Sequence, residues 1–370
     1  MLVRYLFIFA LCLPLVSAYA QDENPGLVRT DTLGDKNKKL RWIGIPVAFY
    51  TPETNFGFGG GGQVFLTSEE NRFRTRVSNI LFSGMYTLNE QILLDFQPQI
   101  YFGGGRYYLD SSYKFEIYPN RFWGIGNTTP DSNEERYNMT SHQLRIDFLK
   151  LLPPNLNFGL RFVFENHDIT EVEEGGLLDQ GDIPGSDRAV IVGLGAVFNL
   201  DTRDFVEDPR SGYFINFNAE FSSENFGATH GFNRFVTDIR GYFPINDVSL
   251  VAGRIHFVNN FGDVPFQAKA WYGGGSVARG YFAGRFIDDQ MYVLTAEYRW
   301  RFSPRWGMAA FALVGEVGNI NQDFFNDVKP AVGGGVRWQV LKAQNTLLRL
   351  DIGVGKNGNS GFYFGVNQAF

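Results

Sequence analysis

The segment YVLTAEYRWRF, residues 292–302, alternates between two kinds of side chain. The first set is apolar or aromatic and consists of Tyr292, Leu294, Tyr298, Trp300 and Phe302. The second set is polar or charged and consists of Thr295, Glu297, Arg299 and Arg301. Successive side chains of a β-strand point to opposite faces, so the segment predicts a strand with one apolar and one charged face.

The same period of two recurs in AVGGGVRWQV (331–340) and TLLRLDIGV (346–354). Alternation by itself also suits a large secreted β-sandwich, which we keep as an alternative. Strand candidates recur roughly every 20 residues, as expected for a membrane-spanning strand of about 10 residues and its connection. Aromatic residues gather near predicted strand ends, as in membrane-interface girdles, at Tyr107, Tyr108, Phe122, Trp123, Trp300 and Phe302.

We therefore predict an all-β fold, a transmembrane antiparallel β-barrel of about 16 strands over residues 41–370. The predicted strands are 56–67, 75–87, 91–103, 106–117, 141–150, 155–165, 187–200, 211–222, 233–243, 248–259, 266–272, 291–302, 308–318, 331–340, 346–354 and 362–370. The segment WIGIPVAFY (42–50) is left unplaced, because it could lengthen the first strand or line the lumen.

The first twenty residues have the pattern of a secretory signal peptide. Arg4 provides a positive charge, Leu6 to Val16 form a short apolar run, and Ala18-Tyr19-Ala20 provides a cleavage site of small residues. Residues 21–40 are polar and rich in turn formers, and we interpret them as a flexible periplasmic lead. The protein is expected to be exported to the outer membrane.

Composition narrows the function classes. The formal net charge is −6, so nothing indicates a nucleic-acid partner. The one cysteine, Cys12, lies within the predicted signal peptide, which excludes disulfides and thiolate metal sites from the mature chain. The four histidines are scattered without catalytic or metal-ligand spacing. We expect no enzymatic activity, no metal and no cofactor.

Ordered motifs in the second half resemble the BamA/TamA (bacterial surface antigen) superfamily of outer-membrane assembly barrels. The loop GGGSVARGY (273–281) contains the motif residues Val277, Ala278, Arg279, Gly280 and Tyr281. The matching strand and turn motifs supply Asp201, Arg203, Asp204, Pro209, Gly212, Glu297, Arg299, Gly318, Arg337 and Asp351. The final strand, GFYFGVNQAF, resembles an outer-membrane assembly signal through Phe362, Phe364 and Phe370 on one face. The motifs cover about 201–370.

The resemblance implies that the loop folds back into the lumen, where Arg279 pairs with an acidic residue of a nearby strand. We predict Glu316 as that partner. In the alternating pattern it shares a face with Ala310, Ala312 and Gly318, which would leave room for the loop. A guanidinium and a carboxylate form a two-pronged ion pair that gains strength where water is scarce.

The resemblance also implies a function, namely helping polypeptides to insert into or cross the outer membrane through an openable seam between the first and last strands. The chain would be a short family member without the periplasmic (POTRA) domains. Expected partners are outer-membrane lipid, a polypeptide substrate and an unidentified periplasmic or outer-membrane protein. The alternative is a passive pore for small solutes, with a charged lumen and no seam.

Overall fold

A computed structural model describes residues 40–51, 55–66, 78–88, 90–152, 155–206, 208–319, 326–341 and 346–370. The predicted signal peptide, residues 1–20, lies outside these ranges, and so does the predicted lead up to residue 39. Within the described part of the chain, no helix has the length and apolar character needed to cross a membrane.

The described chain is built from β-strands. They are β1 (Leu40–Thr51), β2 (Asn55–Leu66), β3 (Ser78–Thr87), β4 (Ile92–Phe102), β5 (Tyr107–Phe122), β6 (Glu135–Leu152), β7 (Leu156–Val172), β8 (Arg188–Asp201), β9 (Gly212–Ser222), β10 (Phe232–Asn246), β11 (Ser249–Gly262), β12 (Ala270–Tyr272), β13 (Phe286–Asp288), β14 (Gln290–Trp300), β15 (Trp306–Gly318), β16 (Lys329–Leu341), β17 (Thr346–Gly355) and β18 (Ser360–Val366).

Sixteen of these strands form one antiparallel sheet in chain order, with β11 paired directly to β14. β12 and β13 pair with each other as a separate short hairpin, and Ile287 of β13 also forms an isolated bridge with Gly126. β1 and β18 stand at the two ends of the order, and no ladder of paired residues joins them in the described strands. The fold is thus the predicted all-β barrel of 16 antiparallel strands.

The two faces of the wall follow the predicted alternation. Along β14, Leu294 and Tyr298 are 40% and 44% exposed, whereas Glu297 between them is 1% exposed. The apolar face points outward, where hydrocarbon can cover it, and the charged face points into the barrel. Antiparallel pairing between neighbouring strands satisfies their backbone hydrogen bonds, which the bilayer core demands.

The connections differ strongly between the two ends of the barrel. At one end, which we call the loop end, the chain forms the long connections 123–134, 173–187 and 263–289. At the other, the turn end, connections such as 247–248 and 301–305 are short. Outer-membrane barrels carry long loops outside the cell and short turns in the periplasm, which assigns the turn end to the periplasmic side.

Two predicted strand assignments need correction, although the total of 16 is unchanged. The unplaced segment 42–50 belongs to β1, which pairs with β2 from Leu40↔Leu66 to Thr51↔Asn55, so predicted strand 56–67 is the second strand. Segment 266–272 is not a barrel strand. Its alternating apolar residues pack inside the barrel, because β11 and β14 pair directly and leave no gap between them in the wall.

The first prediction concerns the outward face of the barrel wall. Leu294 lies in the middle of β14. Leu294→Arg should therefore destabilise the folded barrel in a bilayer by about 2–4 kcal/mol, because the arginine charge must leave water. The measurement is denaturant-dependent folding into lipid vesicles, followed by the shift in gel mobility on heating. Glu224→Arg, in the exposed connection between β9 and β10, is the control. Equal losses in both variants would contradict the outward orientation of Leu294.

Candidate functional site

The connection from β11 to β14, residues 263–289, lies inside the barrel, and we call it the lumen loop. It begins with a short 3₁₀ helix, Phe266–Ala268, and then forms the β12–β13 hairpin. The hairpin presents residues 273–281 to the inner faces of β14–β18. Ala278, Arg279 and Tyr281 are buried there.

Arg279 joins two strands that are not neighbours in the sheet. Its Nη2 donates to Glu297 Oε2 of β14 at 2.5 Å, and its Nη1 donates to Asp351 Oδ2 of β17 at 2.6 Å. Arg279 is 3% exposed, and both carboxylate side chains are fully buried. A planar guanidinium suits this double role, because it presents several donors in fixed directions.

Three further arginines complete what we call the charge cluster. It consists of Arg279, Glu297, Arg299, Arg337, Arg349 and Asp351. Arg299 Nε donates to Glu297 Oε1 at 2.8 Å, and Arg337 Nη1 donates to Asp351 Oδ1 at 2.5 Å. Each carboxylate is shared by more than one cation, so losing one carboxylate would leave several buried positive charges poorly compensated.

An aromatic ring supports Arg279 from β15. The guanidinium carbon Cζ lies 3.6 Å from the centroid of the Phe311 ring. A cation over an aromatic face is attracted by the ring quadrupole, most strongly where water is excluded. Phe311 lies directly opposite Glu297 in the β14–β15 ladder. It therefore holds Arg279 at the same height in the barrel as Glu297.

Glycines allow the loop backbone to lie directly on β17. A Cβ at Gly353 would come within 2.7 Å of Gly280 N and 2.8 Å of the Arg279 carbonyl carbon. A Cβ at Gly355 would lie 2.5 Å from the Tyr281 ring. Gly280 itself has φ +115°, a conformation that side chains rarely permit. The motif and the strand thus fit together only with glycine at these positions.

Hydrogen bonds from two tyrosines fix the loop against the last strands. Tyr281 Oη donates to Pro330 O at 2.8 Å and accepts from Lys356 N at 2.8 Å. Tyr363 Oη of β18 accepts from Gly280 N at 2.8 Å and donates to Tyr281 O at 3.1 Å. Burial raises the pKa of Tyr281, so its hydroxyl stays protonated and keeps its donor role.

The structure gives Arg279 different partners from the predicted Glu316. Glu316 Oε2 accepts hydrogen bonds from Asn127 Nδ2 and from Asp327 N, both at 3.3 Å. Glu316 lies five residues along β15 from Phe311, a distance of about 17 Å at the usual rise of a strand. The alternation locates a residue on a face but does not fix its height, and the correct carboxylates are strand motif residues that the resemblance had already singled out.

The predicted orientation of β15 is also reversed. Phe311, Leu313 and Val317 are buried inside the barrel, whereas Ala310 and Ala312 are exposed on the outside. Phe311 points inward because its ring covers Arg279. The sequence pattern placed this aromatic residue on the lipid face, and the predicted orientation of the strand was therefore wrong. The small residues that admit the loop are the glycines of β17 rather than the alanines of β15.

The lumen loop is held a second time at the loop end, by contacts that the sequence did not predict. Arg285 Nη2 donates to Asp131 Oδ1 at 2.6 Å and to Thr129 O at 2.8 Å, in the β5–β6 connection. Gly126 N donates to Ile287 O at 2.8 Å. Beside these contacts lies what we call the cap cluster, formed by Phe122, Tyr137, Met139, Leu178, Phe266 and Ile287.

The motif 201–214 has a local role at the turn end. Arg203 makes a two-pronged ion pair with Asp201, with both bonds at 2.8 Å. Asp204 Oδ1 accepts from the backbone N–H groups of Arg210 and Ser211. Gly212 has φ +98°, and a Cβ there would lie 2.3 Å from Thr202 O. These residues, with buried Pro209, shape the β8–β9 turn and do not join the charge cluster.

The residues of the predicted assembly signal separate into two groups. Phe362 and Phe364 are exposed on the outward face of β18, as predicted. Phe370 does not share that face. The chain turns at Asn367 (φ +62°), and Phe370 packs inside the barrel against Tyr242 and neighbouring apolar residues. Arg299 Nη2 donates to Phe370 O at 2.9 Å. Alternation fails here because the strand ends at Val366.

Comparison with known proteins agrees with the all-β barrel fold. The Omp85 superfamily domain matches residues 60–370. The fold is similar to that of BamA from Haemophilus ducreyi lacking POTRA domains 1-3, with TM-score 0.60 and 13% identity over 89% of this chain and 69% of that chain. It is also similar to CdiB from Acinetobacter baumannii, with TM-score 0.56 and 12% identity over 89% of this chain and 60% of that chain. For CdiB from Escherichia coli the TM-score is 0.56 and the identity 11%, over 90% of this chain and 63% of that chain.

At these identities, the structural similarity establishes the fold alone. The chain spans less than two thirds of the length of either CdiB chain. No curated protein matches the sequence. No group of three or more histidine, cysteine or carboxylate side chains that could hold a metal occurs in the part of the chain that the structure covers.

The second prediction concerns the charge cluster and its hold on the lumen loop. A cysteine at Ala278, which is fully buried, reports release of the loop by its rate of maleimide labelling in a Cys12→Ser background. Arg279→Ala should raise that rate at least about tenfold, because it removes the cation that bridges two buried carboxylates. Arg279→Ala with Glu297→Ala should add little to the larger single effect, since both act on one network.

Glu316→Gln in the same background is the control, and it should leave the labelling rate close to that of the parent. If Glu316→Gln exposes the cysteine as strongly as Arg279→Ala, the assignment of Glu297 and Asp351 as partners is wrong.

The glycine contact makes the third prediction. Gly353→Ala should displace the loop without changing any charge, at a cost of about 1–3 kcal/mol for the forced overlap. The same cysteine at position 278 measures the displacement. Gly253→Ala is the matched control, because a Cβ at this strand glycine meets nothing within 4 Å. An unchanged labelling rate in Gly353→Ala would show that the loop does not rest on β17.

Proposed function

Because the chain belongs to the Omp85 superfamily, as an outer-membrane β-barrel, we propose that it helps polypeptides to insert into or cross the outer membrane. The proposal assigns the openable position in the wall to the seam between β1 and β18. The one observation that carries it is an asymmetry of the wall. The lumen loop is bonded to β14–β18, whereas no ladder pairs β1 with β18 in the described strands.

The loop contacts define a firm side of the seam. The charge cluster links β14, β16 and β17 through Glu297, Arg337 and Asp351. Tyr363 extends the contact to β18, the strand at the edge. A polypeptide strand that pairs with this edge would therefore meet a backbone whose position the loop already fixes. Pairing along an exposed strand edge is a common way in which proteins bind extended peptides.

The opposite side of the seam is built differently. In the described strands β1 pairs only with β2, whose run Gly59–Gly62 lies opposite Val47–Gly44. Glycines provide no side chains for cross-strand packing, so a glycine-rich strand bends and separates at lower cost. The sequence placed this glycine-rich strand first in the barrel. Its place as the second strand still puts the weak element next to the edge.

The remaining parts of the proposal concern the chain as a whole. Residues 1–20 act as the signal peptide and residues 21–39 as a periplasmic lead that ends where β1 begins. The substrate is a polypeptide, and a second periplasmic or outer-membrane protein takes part. The role is transport or assembly rather than enzymatic catalysis.

A disulfide across the seam tests the proposal and makes the fourth prediction. Cysteine pairs are introduced with one residue in β1 and one in β18, in a Cys12→Ser chain. Oxidation should abolish the function, because the edge can no longer separate, and reduction should restore it. The measurement is the level of other outer-membrane or secreted proteins in cells that depend on the variant.

The control disulfide joins Ile352 and Phe362, which are directly opposite each other in the β17–β18 ladder. It should leave the function intact. A passive pore for small solutes would tolerate both disulfides. Full activity with the seam closed, together with ion conductance in planar bilayers, would replace our proposal by that pore.

A further inference from the structure

A pocket at the turn end concentrates positive charge next to the charge cluster, with which it shares Arg299 and Arg337. It is lined by five arginines and one carboxylate, namely Arg210, Arg299, Arg301, Arg305, Arg337 and Asp208. We call it the rim pocket. The arginines come from the β8–β9 turn, the β14–β15 turn and the adjoining inner wall. Such a convergence of guanidinium groups is a recognition site for an oxyanion.

Part of this charge has no anionic partner in the described part of the chain. Arg210 donates through Nη2 to the backbone oxygens of Asn246 and Asp247 rather than to a carboxylate. Among the described ion pairs, none involves Arg305, which is exposed on the turn. The other three arginines are paired: Arg301 with Asp208, and Arg299 and Arg337 with the carboxylates of the charge cluster.

The other side of the rim pocket faces the bilayer. Trp300, Trp306 and Met308 line it, and all three are exposed on the outward face. Trp306 stacks on Trp338 of β16, with ring centroids 5.9 Å apart. Tryptophans at the ends of membrane-spanning strands mark the level of the lipid headgroups. The pocket therefore joins the guanidinium groups of Arg210 and Arg305 to a surface that acyl chains and glycerol can cover.

We propose that the rim pocket binds the phosphate group of an anionic phospholipid in the membrane leaflet at the turn end. The phosphate accepts hydrogen bonds from Arg305 and Arg210, and the glycerol and upper acyl chain pack on the tryptophans. The inference is independent of polypeptide transport. A phospholipid fits better than a peptide carboxylate, because the apolar half of the pocket opens outward to lipid rather than into the lumen.

Binding is measured with the purified full-length mature protein in a non-ionic maltoside detergent. Four probes are compared: phosphatidylglycerol, phosphatidylcholine with the same acyl chains, inorganic phosphate, and a short glutamate-rich peptide. Phosphatidylglycerol should bind at least about tenfold more tightly than phosphatidylcholine. Arg305→Gln should weaken it about fivefold, as expected for one interfacial arginine, and Arg210→Gln with Arg305→Gln should weaken it further.

Arg106→Gln is the matched control. Arg106 is an arginine in another short turn at the same end, outside the rim pocket, and its removal should not change binding. Trp306→Ala should weaken the binding of phosphatidylglycerol and leave the binding of inorganic phosphate unaffected. Heat-dependent gel mobility confirms that each variant is folded. If Arg305→Gln does not fold, Arg305→Lys replaces it and should retain part of the affinity, since the charge remains but the fork is lost.

Three results would overturn the inference. One is equal phosphatidylglycerol binding in the wild type and in the folded arginine variants. Another is equally tight binding of inorganic phosphate, which would make the pocket a site for a free ion. The third is displacement of phosphatidylglycerol by the acidic peptide at the same concentration, which would assign the pocket to a polypeptide.

Discussion

The bridge from Arg279 to Glu297 and Asp351 is the interaction on which the arrangement inside the barrel depends. Burying charges is unfavourable unless each finds partners of the opposite sign. Here two carboxylates on β14 and β17 face an excess of arginines, and the loop supplies the cation that both carboxylates share. The strands position the carboxylates, the glycines of β17 let the loop approach, and Phe311 sets the height of the guanidinium.

The sequence was sufficient for the wall because the wall obeys a local rule. A period of two identifies the faces of β14 and β17 correctly, since one side meets hydrocarbon and the other does not. The rule fails where the environment changes. Phe311 is aromatic but lies inside, because its ring contacts a cation rather than lipid. Phe370 turns inward because a residue of positive φ ends the strand before it.

The partners of Arg279 show a second limit of the sequence. Which carboxylate pairs with a loop arginine depends on how far the loop penetrates, and a one-dimensional pattern contains no such depth. Register provides it, because Glu297 lies opposite Phe311 whereas Glu316 lies opposite Tyr292. The contacts of Arg285 with Thr129 and Asp131 were equally hidden, since more than 150 positions in the sequence separate the two segments.

The lumen loop also gives the barrel an uneven thickness. Over β14–β18 the wall has two layers, the sheet and the loop bonded to its inner surface, whereas β1–β3 form a single layer in the described residues. A two-layer plate resists bending far more than a single layer, because its material lies farther from the bending axis. Lateral pressure from the bilayer should therefore deform the barrel unequally and flatten it on the side of its first strands. The shape of the barrel cross-section would then change with membrane tension on the side of β1–β3, while the side of β14–β18 keeps its shape.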